Sequence, residues 1–105
     1  MNIIKLTSIG FERDTEGNFS DDGHYFWGYT YKGMKFSYLK DTESKLLFLS
    51  YHMSPEVRAK VENSVELSNQ VMDLGNKFNG VEYEQITKQE IKDTMDELYE
   101  LVSKL

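Results

Sequence analysis

Large aromatic residues occupy every second position across residues 24–31 (HYFWGYTY), apolar residues alternate again across 34–40 (MKFSYLK), and Lys32-Gly33 separates the two runs. A period of two is the pattern of a half-buried strand, and Gly33 supplies the positive backbone angle that a tight hairpin loop requires. With the loop at 32 and 33, Tyr31 faces Met34, Tyr29 faces Phe36, Trp27 faces Tyr38 and Tyr25 faces Lys40, all on one sheet face. A turn within residues 41–44 leads to a further strand over 45–53, and symmetric pairing sets Leu47 beside Tyr38, Leu49 beside Phe36 and Tyr51 beside Met34. This aromatic face is the expected core. The opposite face carries Phe26, Leu39, Leu46 and Phe48 among smaller and polar residues, and without a helix over it these four form an apolar patch of the kind that marks a partner or dimer surface. A bulge at Gly28 would swap the facing of residues 24–27.

The period changes after residue 53. Ser54-Pro55-Glu56 is a helix start, because serine caps free amide hydrogens and proline at the first helical position loses no bond. Val57, Val61, Val65, Leu67, Val71, Met72 and Leu74 then cover about half the helix circumference, and Gly75 ends one helix over 54–75. Residues 76–80 read as a turn and 81–86 as a short strand or extended linker. Thr87-Lys88-Gln89-Glu90 opens a last helix over 87–105 as a capping box, with Ile91, Met95, Leu98 and Val102 as its apolar stripe. Upstream of the hairpin, residues 2–13 hold short apolar pairs without a helical stripe and read as a first strand. Residues 14–23 (DTEGNFSDDG), polar apart from Phe19, read as a long loop. The expected fold is α+β: an antiparallel meander of about four strands over 2–53, followed by two helices packed on one sheet face as a two-layer sandwich, all within a single domain of 105 residues.

Charge changes this picture more than composition does. Eighteen acids against twelve bases leave a net charge of −6, which disfavours binding to duplex DNA through phosphate neutralisation. Yet residues 24–53 carry Lys32, Lys35, Lys40 and Lys45 against only Asp41 and Glu43, and hold nine of the fourteen aromatic residues. Aromatics interleaved with lysines can stack single-stranded bases, so this alternative hangs on which way Phe26, Tyr31 and Phe48 face. Seven acids against three lysines make residues 81–105 the most acidic segment. The absence of cysteine excludes disulfides, thiolate metal sites and thiol nucleophiles and fits a reducing compartment. No apolar run approaches the roughly 18 to 20 residues that cross a bilayer, and the opening residues do not resemble a signal peptide, so a soluble cytoplasmic protein is expected.

Candidate chemistry is sparse. Asp14, Glu16, Asn18, Ser20 and Asp22 set oxygen ligands at alternate positions as a calcium loop does, but Phe19 and Tyr25 stand where that loop needs glycine and a bidentate glutamate. His24 and His52 fall at opposite ends of the meander, on the order of 25 Å apart at ~3.3 Å per residue, so they share no site. There is no glycine-rich phosphate loop, and neighbouring acids such as Glu82 and Glu84 are ordinary solvated positions. Neither an enzyme, a metal site nor a cofactor is expected.

What remains is binding. In general composition the chain resembles small acidic one-domain proteins of phages and mobile elements, which implies a non-enzymatic protein acting by protein–protein interaction, as an inhibitor of a nucleic-acid-handling host factor for example. The expected surfaces for a basic partner are the acidic helix face (Glu90, Asp93, Asp96, Glu97, Glu100) and the acidic loop (Asp14, Glu16, Asp21, Asp22). Phe26, Leu39, Leu46 and Phe48 are the expected partner or homodimer patch. Two alternatives stand beside this: a single-strand nucleic-acid binder using the basic aromatic hairpin, and a small-molecule binder with a pocket lined by Tyr25, Trp27, Tyr29 and Tyr38.

Overall fold

The hairpin is the seed of the sheet. A computed structural model describes residues 6–21 and 24–105, with side chains over 6–13 and 28–105. In it β2 (His24–Tyr31) and β3 (Met34–Asp41) pair antiparallel through Tyr31 and Met34, Tyr29 and Phe36, and Trp27 and Tyr38. Lys32 and Gly33 both take positive φ, 49° and 84°, the combination that a two-residue loop of primed type requires. Lysine thus accepts a conformation usually left to asparagine or glycine, because the twist of the flanking strands demands it.

The next turn differs from its expected form. β4 (Leu46–His52) pairs with β3 through Phe36 and Tyr51, Tyr38 and Leu49, and Lys40 and Leu47, a shift of two residues from symmetric closure. The longer loop has a local cause. Asp41 stays in the ladder opposite Leu46, and its carboxylate accepts hydrogen bonds from the Glu43 backbone N–H at 3.0 Å and the Ser44 hydroxyl at 2.8 Å. Lys45 closes the turn at φ 60°. A two-residue slip preserves facing, so Leu47, Leu49 and Tyr51 remain on the core side.

Two boundaries are corrected at the N-terminal side. Of the strand expected over 2–13, residues 6–9 are instead a 3₁₀ turn (Leu6–Ile9), Leu6 and Phe11 enter the core, and among the described residues only Glu12 and Arg13 are strand. The loop expected over 14–23 is instead largely strand: β1 (Glu12–Asp21) pairs with β2, with a register shift between Asp14 and Phe19 beside Gly28. Polar, turn-forming composition suits this position because β1 is, among the described residues, an edge strand held by backbone bonds to β2 alone.

The helical half also departs from one continuous helix. It breaks at residues 62–64 into α1 (Pro55–Val61) and α2 (Val65–Gly75). Each has its own serine cap: Ser54 Oγ accepts from Val57 N and Ser64 Oγ from Leu67 N, both at 3.2 Å. Asn63 and Ser64 compete with helical backbone bonds, and the restart turns Val65 out to 77% exposure and leaves Met72 at 42%, so neither serves the core stripe. β5 (Asn79–Glu82) then adds to β4 and completes an antiparallel sheet in the order β1-β2-β3-β4-β5.

α3 (Lys88–Ser103) starts where expected, with Thr87 Oγ1 accepting from Glu90 N at 3.1 Å. Its Ile91, Met95 and Leu98 are fully buried against Leu47, Leu49 and Val71 in one core. The fold is therefore α+β, with the helices on the aromatic face of the sheet. α2 approaches β4 so closely that a Cβ on Gly75 would lie 2.6 Å from that of Tyr51; glycine is required there by contact, not by φ. Among the described residues, no helix is long and apolar enough to cross a membrane.

Candidate functional site

On α3 the acids recur at spacings of three and four, so Glu90, Asp93, Glu97 and Glu100 form one exposed stripe. Gln89 donates to Asp93 Oδ1 at 2.7 Å at the N-terminal end of that stripe. Nearer its C-terminal end the helix lies beside α2. There Glu97, Glu100 and Lys104 stand across a groove of about 470 Å³ from Gln70 and Asp73, over the half-buried side chains of Leu74 and Leu101. Asp73 belongs to a different helix from the acids singled out in the sequence. Only the pairing of α2 with α3 brings it to Glu97 and Glu100, and its neighbours in sequence carry no hint of that.

Asp96 belongs to the same acidic face by composition but not by geometry. It lies a third exposed on the flank of α3 that meets the β2–β3 hairpin. Tyr31 donates its hydroxyl to Asp96 Oδ1 in a short hydrogen bond, Lys32 Nζ lies 3.1 Å from the same oxygen, and Lys92 Nζ donates to Oδ2 at 2.9 Å. These donors, Lys92 first and Tyr31 next, hold the Asp96 carboxyl far below the usual carboxylate range. In return, the Asp96 carboxylate raises the Lys92 ammonium, while burial first and that carboxylate second raise the Tyr31 hydroxyl. Lys32 also stacks over the Tyr99 ring at 4.9 Å. The cluster fastens hairpin to helix, so Asp96 is a tertiary anchor and not an open carboxylate.

The other expected surfaces fare differently. Asp14, Glu16 and Asp21 fall in β1, not in a loop, with side chains outside the described set, and Asp22 and the Phe26 side chain also lie outside it. Leu39, Leu46 and Phe48 are half-buried on the outer sheet face, Leu39 pairing across strands with Phe48. Among the described residues, the large apolar side chains most exposed are instead Val65, Met72 and Tyr99.

The basic hairpin is largely engaged with its own fold. Lys32 pairs with Asp96, Lys45 lies 3.8 Å from Glu84, Lys40 sits over the Tyr83 ring at 5.1 Å, and Tyr31 is buried. Tyr29 and Tyr38 pack edge to face at 5.5 Å, and burial pushes the Tyr38 hydroxyl up to about 12. Among the described residues no group of three or more acids and histidines is placed to hold a metal ion.

A second recess, of about 460 Å³, lies at the hairpin end of the molecule. Its walls come from three separated stretches: residues 32–35, 51–57 and 99–103. The lining residues include Lys32, Lys35 and His52 and no carboxylate; Glu56 and Glu100 fall within those stretches but do not line the recess. No single segment carries a motif for it, which is why it escapes a reading along the chain. No family model, curated protein or solved structure matches this chain.

Proposed function

We propose that the protein is a non-enzymatic binding protein whose α2–α3 groove receives a basic segment of a protein partner. The observation that carries this is the convergence of Asp73, Glu97 and Glu100 from two helices around Leu74 and Leu101. Carboxylates around a half-apolar floor suit a chain that offers Lys or Arg flanking one apolar side chain. The apolar contact supplies burial and the charges supply register. The overall charge of −6 adds long-range attraction for such a partner and speeds encounter at low salt. Nucleic-acid-handling factors present basic surfaces of this sort, which keeps inhibition of one of them within the proposal.

The test is a fluorescence anisotropy titration with two labelled amphipathic peptides, identical except that the lysines of one are glutamates in the other. Saturable binding of the basic peptide alone is expected. It should weaken by about tenfold on raising salt from about 50 to 200 mM, and by at least as much in the Glu97→Lys/Glu100→Lys variant. Equal binding of both peptides, or binding indifferent to the double reversal, would falsify the groove as the interface.

A further inference from the structure

We propose that the recess at the hairpin end is a second binding site, for a small carboxylate with an apolar body such as a medium-chain fatty acid. Its chemistry runs against that of the whole molecule. The chain carries eighteen acids, yet none lines this recess, whereas Lys32 and Lys35 both do. Glu56 and Glu100 adjoin lining residues in sequence without lining the recess, and Asp96, paired with Lys32, has both oxygens taken by Tyr31, Lys32 and Lys92. Lys32 is thereby partly neutralised. Lys35 is not: it makes no ion pair with any described residue, and it stands exposed opposite His52 on the last rung of the β3–β4 ladder. Strand alternation sets the Lys35 side chain on the sheet face opposite Met34, so an anion at the rim of the recess meets this uncompensated cation, with no carboxylate among the lining residues.

The remaining lining is chiefly apolar. Met34 and Met53 approach from the sheet end, Val57 from α1, and Tyr99 and Val102 from α3. Methionine side chains adapt to irregular apolar shapes, and a volume of about 460 Å³ lies within the range of small-molecule sites. Tyr99, 37% exposed with Lys32 over its ring, gives the mouth a second apolar surface. A polymeric anion that stacks bases is disfavoured because Tyr99, the partly exposed ring at this mouth, is already covered by that lysine. A neutral apolar ligand leaves Lys35 unused.

The five methionines make the test internal to one sample, since Met34 and Met53 line the recess while Met72 lies on α2 and Met95 in the core. Protein labelled with ¹³C at the methionine methyls is titrated with decanoate, and separately with decanol and decyltrimethylammonium. Saturable shifts of Met34 and Met53, with Met72 and Met95 unmoved, are expected for decanoate only. Lys35→Glu should lower its affinity about tenfold while Lys35→Arg retains it, because a single charge-assisted contact is at stake. Lys35 is exposed, so neither variant threatens the fold. Shifts spread over all methionines, equal binding of the cationic analogue, or no shift at all would each overturn the proposal. The Glu97→Lys/Glu100→Lys protein should bind decanoate unchanged, which separates this site from the α2–α3 groove.

Discussion

Two recesses of nearly equal volume, about 470 and about 460 Å³, carry opposite charge on one small protein. The α2–α3 groove joins surfaces that two amphipathic helices expose anyway, and those faces are acidic. The hairpin-end recess is walled by the tip of a hairpin, the exit of a strand and the last turns of a helix, and it holds Lys32 and Lys35, the two lysines of the basic segment that lie at the hairpin tip. Net charge describes long-range steering; it says little about what a given concavity will hold. The contrast is sharpened by Asp96. It could have been a sixth open carboxylate on the acidic side, but three donors draw it into the joint that builds the basic side.

The largest effect on both regions should come from Gly75, which sits between them at the contact of α2 with Tyr51. Gly75→Ala forces the helix and sheet apart and should destabilise the protein by about 1–3 kcal/mol, as overpacking does. Urea unfolding measures this, and both recesses should lose ligand affinity together, which a purely local role of Gly75 would not produce.

Asp96→Asn comes next. Its loss should be about 1 kcal/mol, held down because the carboxylate is a third exposed and solvent screens it. The pH dependence has a definite sign. The folded pKa of Asp96 lies below its unfolded value, so the wild type's advantage is complete above about pH 5 and shrinks as pH falls through the carboxylate range. Thermal melting of the two proteins at pH 7 and pH 3 checks this. The same substitution releases Lys32, so decanoate binding should tighten two- to threefold, and a weakening would show that the two regions are not opposed in the way described.

The smallest effect concerns Lys104, the one cation in the acid-lined groove. Lys104→Gln should raise affinity for the basic peptide about twofold at low salt and leave stability within ~0.5 kcal/mol. Anisotropy and melting curves on one preparation report both, and unchanged affinity would place the peptide away from the C-terminal end of the groove.

Much of the fold was legible because it rests on contacts between near neighbours. Lys32-Gly33, the Ser54 and Thr87 caps and the Ile91, Met95 and Leu98 stripe each depend on a few residues in a row. The failures share one cause. A polar composition over residues 14–21 says loop only if no partner strand is present, and β2 supplies one. The helix break at 62–64 depends on a balance between Asn63 and Ser64 and the tertiary fit of Val61 and Val71, both buried. For the candidate sites, Glu97 and Glu100 were visible as an acidic helix face, whereas Asp73 and Lys35 acquired meaning only from what folded beside them.

The sequence by itself determined the local alphabet of this protein: which segments pair as a hairpin, where helices start, and which side of each element is apolar. These follow from periodicity, capping and backbone preference, all of which act within about four residues. Tertiary structure alone decided the sum of those pieces. It joined Tyr31 and Lys32 to Asp96 across more than sixty residues of chain, and it set two helices side by side to make one acidic groove. It also set Lys32 and Lys35 at a recess whose lining holds no acid. Such meetings carry no local signal, since the energy that selects them comes from burying distant apolar faces together, and charges go where that burial takes them.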